Sequence, residues 1–352
     1  MQVRIAVIAA LMAVASVTVA ACGSSTPAPS SSAPAGSSAG SSAAPAGGDI
    51  AITYSAPVAG ALPFLPVEVA MKNGYFKEQG VTVTVKQTAP AALPAALTSN
   101  QINMTADVVY NSARYVEKGV GVKYVAGLND NVDFQLLAAK GVALPKPAGA
   151  DGWKTTFAAL KGKKIGVNAK AGPLGLTLIA LLKMAGVNAG DYTLIDTPGT
   201  VALNALTAKQ VDAVVSGGGF DKAIVEAGAA DPVLSFAGDI PDVFGSQVNA
   251  ALVVTDATLK QSPDLAKKLQ TAILKADAYM KDPANNATLT TIATATGTAK
   301  TAGLSAQLAT YAYSGNLSLK GIQAALDWAQ LAGITKNKID AKSLIADGAT
   351  SS

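Results

Sequence analysis

Several residues that can bind a small molecule stand in the short segments after predicted strands. Gly172 and Gly217 would let a ligand approach backbone amides, or would simply keep their loops flexible. Asp107 can accept hydrogen bonds from an amine or a ring N–H, or can cap a helix N-terminus. Tyr110 and Phe220 can stack on a flat ligand, or pack in the core. The chemistry that these residue types offer is recognition of a small molecule.

The composition excludes several classes of catalytic and metal site. The 352-residue chain contains no histidine, which excludes Ser-His-Asp triads, Cys-His pairs and histidine-ligated metal sites. Its one cysteine, Cys22, permits no intramolecular disulfide and no cysteine-based zinc cluster. Lysine and arginine total 27 against 23 acidic residues, and the charges are scattered, so a nucleic-acid partner is not expected. Because no phosphate-binding loop occurs either, we expect no cofactor and no metal.

The first 48 residues have the pattern of a targeting signal and a tether. Arg4 precedes an apolar run over residues 5–21, and the sequence Val-Ala-Ala-Cys that ends at Cys22 resembles the lipobox of bacterial lipoproteins. An ordinary signal peptide with a chance cysteine is the alternative. Residues 23–48 contain only Gly, Ser, Thr, Pro and Ala, a composition typical of flexible linkers. We expect a signal peptide over residues 1–21, followed by an acylated Cys22 and a disordered tether over residues 22–48.

Strand-like and helix-like segments alternate twice in the remaining chain. The pattern predicts strands over residues 50–55, 81–85, 102–109, 122–126, 164–168, 192–195 and 211–215. It predicts helices over residues 67–73, 92–99, 110–118, 174–185 and 201–209. Residues 96–104 also resemble residues 205–213 at an offset of 109, although any joint between a helix and a strand favours a similar pattern. The expected fold class is therefore α/β, with two mostly parallel sheets flanked by helices.

Two further strand-like runs, residues 133–139 and 248–255, bracket the second set of elements and predict the crossings between two lobes. The first lobe would then comprise residues 49–132 and 256–352, and the second lobe residues 133–255. A helix begins after Asp264, and residues 303–333 are helical in pattern, with Trp328 and Leu331 expected in the core.

Ligands of parallel α/β sheets bind beyond the carboxyl ends of the strands, where loops lead into helices. Six such loops are expected to form a cleft, over residues 55–60, 88–90, 107–111, 168–176, 198–200 and 216–220. Arg114 is expected on a helix surface, so no arginine fork for an anion is predicted and a neutral or weakly charged, partly aromatic ligand is favoured. The predicted contact residues are Ala56, Gly60, Phe64, Asp107, Tyr110, Asn168, Lys170, Gly172, Pro173, Leu174, Gly217, Gly218 and Phe220.

Four segments carry a family resemblance. Residues 65–81, 106–110, 160–167 and 210–215 resemble, in order, the signatures of the binding proteins for nitrate, sulfonate, taurine and thiamine-pyrimidine precursors. The resemblance implies a type II periplasmic-binding-protein clamshell that delivers a solute to an ABC importer. Its implied partners are a small-molecule solute, a permease with its ATPase, and the membrane through the lipid anchor. A monomer on the extracytoplasmic face of the cell membrane is the expected form.

The resemblance leaves the ligand and two other functions open. Residues 168–176 lack the serine-rich stretch common in the family, and residues 216–221 lack its usual aromatic or acidic pattern, so the family's substrates cannot be transferred. A sensing or adhesion lipoprotein could use the same fold without transport. The related pyrimidine synthases of yeast type depend on histidine and pyridoxal phosphate chemistry, and the absence of histidine argues against that activity. We therefore expect a binding protein rather than an enzyme.

Overall fold

Two five-stranded sheets organise the chain in the computed structural model, which describes residues 49–130, 132–298, 301 and 303–350. The predicted signal segment, Cys22 and the tether lie outside these residues. The first sheet contains β1 (Ile50–Ser55), β2 (Val81–Val85), β3 (Met104–Val108), β4 (Val122–Asn129) and β10 (Ala250–Thr255). The second sheet contains β5 (Gln135–Ala139), β6 (Lys164–Val167), β7 (Thr193–Asp196), β8 (Ala213–Ser216) and β9 (Ala230–Ser235).

The two sheets have the same strand order. The first runs β2-β1-β3-β10-β4 and the second β7-β6-β8-β5-β9. In each sheet four strands are parallel, and the fourth strand in the order, β10 or β5, is antiparallel to both neighbours. Both antiparallel strands are the predicted crossings. Because β10 pairs with β3 and β4, it belongs to the first sheet, whereas the predicted boundary at residue 255 had grouped it with the second lobe.

The helices follow the predicted alternation. Those of the first half are α1 (Leu65–Lys72), α2 (Tyr75–Glu78), α3 (Leu93–Thr98) and α4 (Val109–Glu117). Those of the second half are α5 (Gly152–Ala158), α6 (Pro173–Met184), α7 (Val201–Thr207), α8 (Phe220–Glu226), α9 (Phe236–Asp239) and α10 (Pro241–Phe244). The C-terminal region contains α11 (Asp256–Gln261), α12 (Leu265–Lys281), α13 (Asn286–Ala295), α14 (Leu304–Thr310) and α15 (Leu319–Leu331). Among the described helices, none is long and apolar enough to cross a membrane.

The C-terminal helices divide their packing between the two sheets. Helix α12 buries Leu265, Leu269 and Ile273 in the core on one face of the first sheet, as the sequence pattern predicts. Helix α15 packs mainly on the opposite face of that sheet, but Trp328 lies in the core of the second lobe. Apolar burial of this kind supplies most of the free energy that holds helices on sheets.

The C-terminal region is helical as the sequence pattern predicts, and one residue in it differs from the prediction. Residues 303–333 form two helices, because Tyr313 forms a backbone bridge to Asn129 and the Ser318 hydroxyl accepts the N–H of Gly321 at the start of the second helix. Leu331 is 67% exposed, so its predicted core position is wrong. It follows buried Ile322 by nine residues, which at 100° per residue places it on the opposite face of the helix.

Candidate functional site

A cleft of about 620 Å³ lies where loops from the carboxyl ends of both sheets meet. Each of the six predicted loops contributes to its lining, because the chain leaves β1, β2, β3, β6, β7 and β8 at the same side of the molecule. A volume of this size is in the usual range of roughly 300–1,000 Å³ for small-molecule sites. The cleft is the place in the described structure where both lobes can contact one ligand.

Most of the predicted contact residues are brought together in this cleft. The first lobe contributes Phe64, Asp107 and Tyr110. The second lobe contributes Asn168, Gly172, Pro173, Leu174, Gly217, Gly218 and Phe220. Whether these residues touch a ligand stays a prediction, since the geometry establishes only that they line one cavity.

Three predicted residues lie elsewhere. Ala56 and Gly60 line a separate cavity of about 230 Å³ in the first lobe. A Cβ on Gly60 would lie 2.2 Å from the carbonyl carbon of Gly297, so this end of the loop packs on the C-terminal region, while Pro57 and Val58 of the same loop line the cleft. Lys170 points to solvent, where its Nζ lies 3.9 Å from Oδ2 of Asp196 and its backbone N–H donates to Oδ1 of the same residue at 2.6 Å. Lys170 is therefore an exposed charge that forms an ion pair within the second lobe.

Other cleft residues were not predicted from the sequence. Arg114, Tyr115 and Lys118 follow Asn111 by three, four and seven residues, so the four share one side of α4 and line the cleft together. That spacing was a usable signal. Arg114 lies on α4 as expected, and it is half-buried and lines the cleft. Asp133 also lines the cleft, together with Phe134, Thr197 and Ser216. Asp133 has no local pattern that marks it, because it lies at the start of a crossing segment.

Asp107 is fully engaged by its own lobe. Its Oδ1 accepts the backbone N–H of Val108 at 2.8 Å and the Asn111 Nδ2 at 2.9 Å. Its Oδ2 accepts the same Asn111 amide at 2.8 Å and the hydroxyl of Tyr115. Burial raises the pKa of Asp107 to about 6, although these hydrogen bonds and the charge of Arg114 oppose the rise. Asp107 does not cap α4, whose N-cap residue is Val108, but it holds the side chains of Asn111 and Tyr115 in place.

Asp133 has a different environment. Its Oδ2 accepts the backbone N–H of Gly218 at 2.7 Å and the hydroxyl of Tyr311 at 2.6 Å. Its Oδ1 is buried and has no hydrogen-bond partner among the described residues. Burial raises the pKa of Asp133 above the usual range, while the bonds from Tyr311 and Gly218 lower it. The carboxylate of Asp133 is thus held through Oδ2, while Oδ1 is enclosed by the protein.

Aromatic rings form part of the cleft wall. The ring of Tyr110 meets that of Phe134 edge-on, with centroids 6.4 Å apart, and Phe134 meets Phe236 in the core behind it at 6.0 Å. Phe220 is half-buried at the start of α8, and a Cβ on Gly199 would lie 3.7 Å from its ring. These rings are supported from behind by buried neighbours. A flat ligand would therefore meet surfaces that are already in position.

The lobes touch at the cleft. The N–H of Leu62 donates to the carbonyl oxygen of Gly218 at 3.2 Å, and a Cβ on Gly219 would lie 3.0 Å from Cδ1 of Leu62. Further back, the indole N–H of Trp328 donates to Oγ1 of Thr177 at 3.1 Å, and both side chains are buried. Together with the bond from Tyr311 to Asp133, these contacts describe a closed arrangement of the two lobes.

The comparisons with known proteins agree with this geometry. The family model described as NMT1/THI5 like matches residues 63–287. The Saccharomyces cerevisiae protein 4-amino-5-hydroxymethyl-2-methylpyrimidine phosphate synthase THI11 is 28% identical over 132 residues, which span 37% of this chain and 36% of the yeast protein. The match therefore covers about a third of that relative.

Solved structures with a similar fold include binding proteins from bacteria. The alkanesulfonate-binding protein SsuA of Xanthomonas axonopodis pv. citri, bound to MOPS, superposes with a TM-score of 0.67 at 16% identity over 85% of this chain and 99% of its own. The periplasmic aliphatic sulphonate binding protein SsuA of Escherichia coli gives a TM-score of 0.67 at 14% identity over 85% and 98% of the two chains. Likeness at these identities concerns the fold, and it confirms the predicted two-lobed periplasmic-binding-protein class.

Proposed function

Because the chain belongs to the NMT1/THI5-like family, we propose that it is an extracytoplasmic solute-binding protein that captures one small molecule between its lobes. The observation that carries the proposal is the cleft of about 620 Å³, to which both lobes contribute loops from the carboxyl ends of their strands. A ligand in this position gains contacts with both lobes only when they are closed. Binding therefore shifts an equilibrium between open and closed forms toward the closed form.

Delivery of the solute to an ABC permease and its ATPase is the finer part of the proposal. It is supported by the family resemblance and by the fold shared with two sulfonate-binding proteins. Acylation of Cys22 would hold the protein at the outer face of the cell membrane, since each buried methylene of an acyl chain contributes about 0.8 kcal/mol. Detergent phase partition of the full chain tests this step. We expect it to enter the detergent phase, whereas the Cys22→Ser variant should stay in the aqueous phase, and equal partition of both would refute the anchor.

A thermal-shift screen of residues 49–352 against nitrate, sulfonates, pyrimidines and flavin-like rings tests solute binding. A ligand that binds only the folded protein raises the melting temperature by mass action. The Ala171→Trp variant provides the cleft control, because Ala171 is exposed and lines the cleft, so a large ring there fills the space. Its neighbour Lys170 is exposed and does not line the cleft, which makes Lys170→Trp the matched control.

We expect a hit to stabilise the wild type and Lys170→Trp but not Ala171→Trp. A ligand that stabilises all three proteins equally would place binding outside the cleft and overturn the proposal. The same screen addresses the similarity to the yeast synthase. A binding protein should release its ligand unchanged on denaturation, as measured by mass spectrometry, whereas recovery of a chemically altered molecule would favour an enzyme.

A further inference from the structure

Apolar side chains form most of the cleft wall. The loop after β2 contributes Ala89, Pro90 and Ala91 from the first lobe, and the loop after β6 contributes Ala169 and Ala171 from the second. Larger apolar side chains of the wall are Phe64, Val108, Leu174 and Val215. A polar solute would lose its hydration in this space and gain few hydrogen bonds in return, which costs free energy. An apolar solute gains free energy from the same burial.

The backbone of the wall is also poor in hydrogen-bond donors. Proline has no N–H group, so it presents a ring where another residue presents a donor. Prolines line the cleft in both lobes, at Pro57, Pro63, Pro90, Pro94 and Pro173. In the glycine segment after β8, the N–H of Gly218 is donated to Asp133, and the N–H of Phe220 is donated to the carbonyl oxygen of Gly217. The backbone thus leaves few donors for a polar solute.

The polar side chains at the start of α4 are bonded to one another. Asp107 accepts Nδ2 of Asn111 on both carboxylate oxygens, and it accepts the hydroxyl of Tyr115 on Oδ2. The donors of Asn111 and Tyr115 are therefore used inside the protein. Freeing them for a solute would leave the buried carboxylate of Asp107 with fewer donors, which is unfavourable.

The cationic side chains of α4 do not require an anionic solute. Arg114 is close enough to Asp107 that its charge lowers the pKa of that carboxyl, which is ionised at neutral pH. The guanidinium therefore has a counter-charge in the protein, and an anion placed beside it would also be repelled by Asp107. Lys118 is exposed, so water solvates its charge and an ion pair formed there contributes little free energy.

The second lobe contributes few hydrogen-bonding side chains to the cleft. Ser216 is half-buried and Asn168 is exposed, and both line the cleft. Oγ1 of Thr197 and Oδ1 of Asp133 are enclosed by the protein. The described cleft can therefore bond one or two neutral polar groups of a solute, such as a hydroxyl or a carbonyl.

Aromatic rings line the cleft on both lobes. Phe64 and Tyr110 belong to the first lobe, Phe220 belongs to the second, and Phe134 lies in the segment between β4 and β5. Tyr110 and Phe134 are in edge-to-face contact, and Phe64 is buried in the core of the first lobe. Rings that the protein already holds in position favour contact with another ring.

We propose that the solute is a neutral, largely hydrocarbon aromatic molecule with one or two hydrogen-bonding groups. The apolar wall, the spent donors and the balanced charge of Arg114 all favour this class over an inorganic anion or a small zwitterion. This inference rests on the proposed function and specifies the solute that it leaves open. It sharpens the sequence-based preference for a neutral or weakly charged, partly aromatic ligand.

A matched set of bicyclic probes tests the proposal by calorimetry at neutral pH. The neutral, flat member is 2-naphthol, whereas 2-naphthoate carries a negative charge and 2-(aminomethyl)naphthalene a positive charge on the same ring system. Decahydro-2-naphthol keeps the hydroxyl and the carbon skeleton but is not flat. For the wild-type protein we expect 2-naphthol to bind about tenfold tighter than either charged probe and about threefold tighter than decahydro-2-naphthol. Its binding should have a negative heat-capacity change, because apolar surface is buried.

Variants at Phe220 test whether the wall must be apolar. Phe220 is half-buried and lines the cleft, so Phe220→Gln places an uncharged polar group in the wall. We expect it to weaken the binding of 2-naphthol about tenfold, whereas Phe220→Leu keeps the wall apolar and should weaken it about threefold. Leu331→Gln is the control and should leave the affinity unchanged, because Leu331 is 67% exposed and does not line the cleft. If Phe220→Gln fails to fold, the ranking of the four probes on the wild type still decides the matter.

The outcomes separate this inference from the proposed function. Either charged probe or decahydro-2-naphthol binding as tightly as 2-naphthol would overturn the neutral aromatic solute, and so would equal affinities of Phe220→Gln and Phe220→Leu for 2-naphthol. A screening hit that is nitrate or a sulfonate without a ring, and that Ala171→Trp no longer binds, would also overturn it, but the solute-binding function would then stand. If no probe and no solute of the screen binds the folded wild type, both the inference and the proposed function fail.

Discussion

The two lobes share a backbone plan and differ in what they present to the cleft. Their sheets have the same strand order, and both use the same joint between a helix and the following strand. Asn100 and Lys209 lie 109 residues apart, and they are the non-glycine residues of the described chain with positive φ, each at 55°. Each donates its N–H to the leucine three residues earlier, at 3.1 Å and 3.0 Å. The sequence repeat thus corresponds to a repeated turn.

A second shared bond follows the turn. Asn103 accepts the backbone N–H of Thr53 through its side chain at 2.7 Å, and Asp212 accepts the N–H of Lys164 in the same way, also at 2.7 Å. Each bond joins the residue directly before the third strand of a lobe to a residue of its first strand. Two unrelated joints would not be expected to repeat both details, so the resemblance reflects duplication of a structural unit rather than a generic pattern.

The lobes diverge where the third strand ends. At the offset of 109 residues, Asp107 corresponds to Ser216 and Tyr110 to Gly219. In the first lobe the chain enters α4 at once and presents charged and aromatic side chains on a rigid helix. In the second lobe three glycines separate β8 from α8, and the backbone itself faces the cleft. The comparison teaches that the shared joints determine the fold, while the residues just beyond the strands determine what can bind.

The largest effect is expected from Asp107, the buried acid of the first lobe. Its pKa in the folded protein is about 6 against an ordinary value of 3.8, so the folded state binds the proton more tightly than the unfolded state. Stability from this group is therefore present at low pH and is lost as the pH rises from about 4 to 6. At about 1.4 kcal/mol per pKa unit, the total change is about 3 kcal/mol.

Urea denaturation of the wild type and Asp107→Asn at pH 3.5 and pH 7.5 measures this effect. The variant cannot ionise, so its stability relative to the wild type should improve by about 3 kcal/mol between the two pH values. Asp264 is exposed and its pKa is lowered by its bond to Lys268, so Asp264→Asn should change in the opposite direction. A relative stability of Asp107→Asn that does not depend on pH would show that folding does not raise the pKa of Asp107.

The next effect concerns the backbone surface of the second lobe. A Cβ on Gly175 would lie 2.3 Å from the carbonyl oxygen of Lys170 and 2.5 Å from that of Ala169, in the loop that lines the cleft. Gly175→Ala should cost about 1–3 kcal/mol, because backbone must move to make room. It should also weaken ligand binding. Gly238→Ala is the matched control, since its Cβ would meet Ser235 at an ordinary 3.5 Å.

Thermal unfolding of both variants tests the comparison between the lobes. If Gly175→Ala is as stable as Gly238→Ala, the loop of residues 169–172 is not held against α6, and the second lobe does not present a fixed backbone surface. If stability falls but ligand affinity is unchanged, the loop supports the lobe without taking part in the cleft.

A smaller loss of stability is expected from breaking a hydrogen bond between the two lobes. The indole N–H of Trp328, on a helix that packs mainly on the first lobe, donates to Thr177 in the second. Thr177→Val keeps the shape and removes the acceptor, which should cost about 1–2 kcal/mol because the N–H is left buried without a partner. Thr207→Val, whose hydroxyl bonds within its own exposed helix end, is the control and should change little. No loss for Thr177→Val in urea denaturation would mean that this contact is open in solution.

Local sequence patterns predicted the strands and helices that the two lobes share. The alternation in residues 81–85 and the β-branched run in residues 50–55 predicted the observed strands, because successive side chains of a strand point to opposite faces and this pattern can be read from neighbouring residues. Pairing partners are not local, so the position of β10 in the first sheet was not evident from its residues. The exposure of Leu331 could be deduced only after the structure had shown which residues of α15 are buried, because these define the face on which Leu331 does not lie.

The cleft was predictable in position and only partly in content. Loops after parallel strands must converge, which brought residues such as Tyr110 and Gly217 together as expected. Arg114 was recoverable from its spacing with Asn111 and Lys118 along α4. Asp133 was not, because its hydrogen-bond partners Gly218 and Tyr311 are distant in sequence. Contacts of this kind become visible only in three dimensions.

The smallest effect tests the joint that the lobes share. Lys209 is exposed and adopts φ of 55°, a conformation that costs an ordinary side chain about 1 kcal/mol, so Lys209→Gly should stabilise the protein by somewhat less than that amount. Asn100 has the same φ but tolerates it better, and its Oδ1 accepts the hydroxyls of Thr255 at 3.1 Å and Thr258 at 3.2 Å. Asn100→Gly should therefore destabilise by about 1 kcal/mol.

Urea denaturation at one pH compares the signs of these two changes. If Lys209→Gly stabilises the protein and Asn100→Gly destabilises it, the two lobes share the backbone conformation of the joint. The side chain of Asn100 then stabilises the joint in the first lobe alone. If both variants are stabilised, the bonds from Thr255 and Thr258 contribute less than the strain at Asn100. If both are destabilised, the entropy that glycine adds to the unfolded chain exceeds the strain relieved at Lys209, and the left-handed turn is not a source of strain in either lobe.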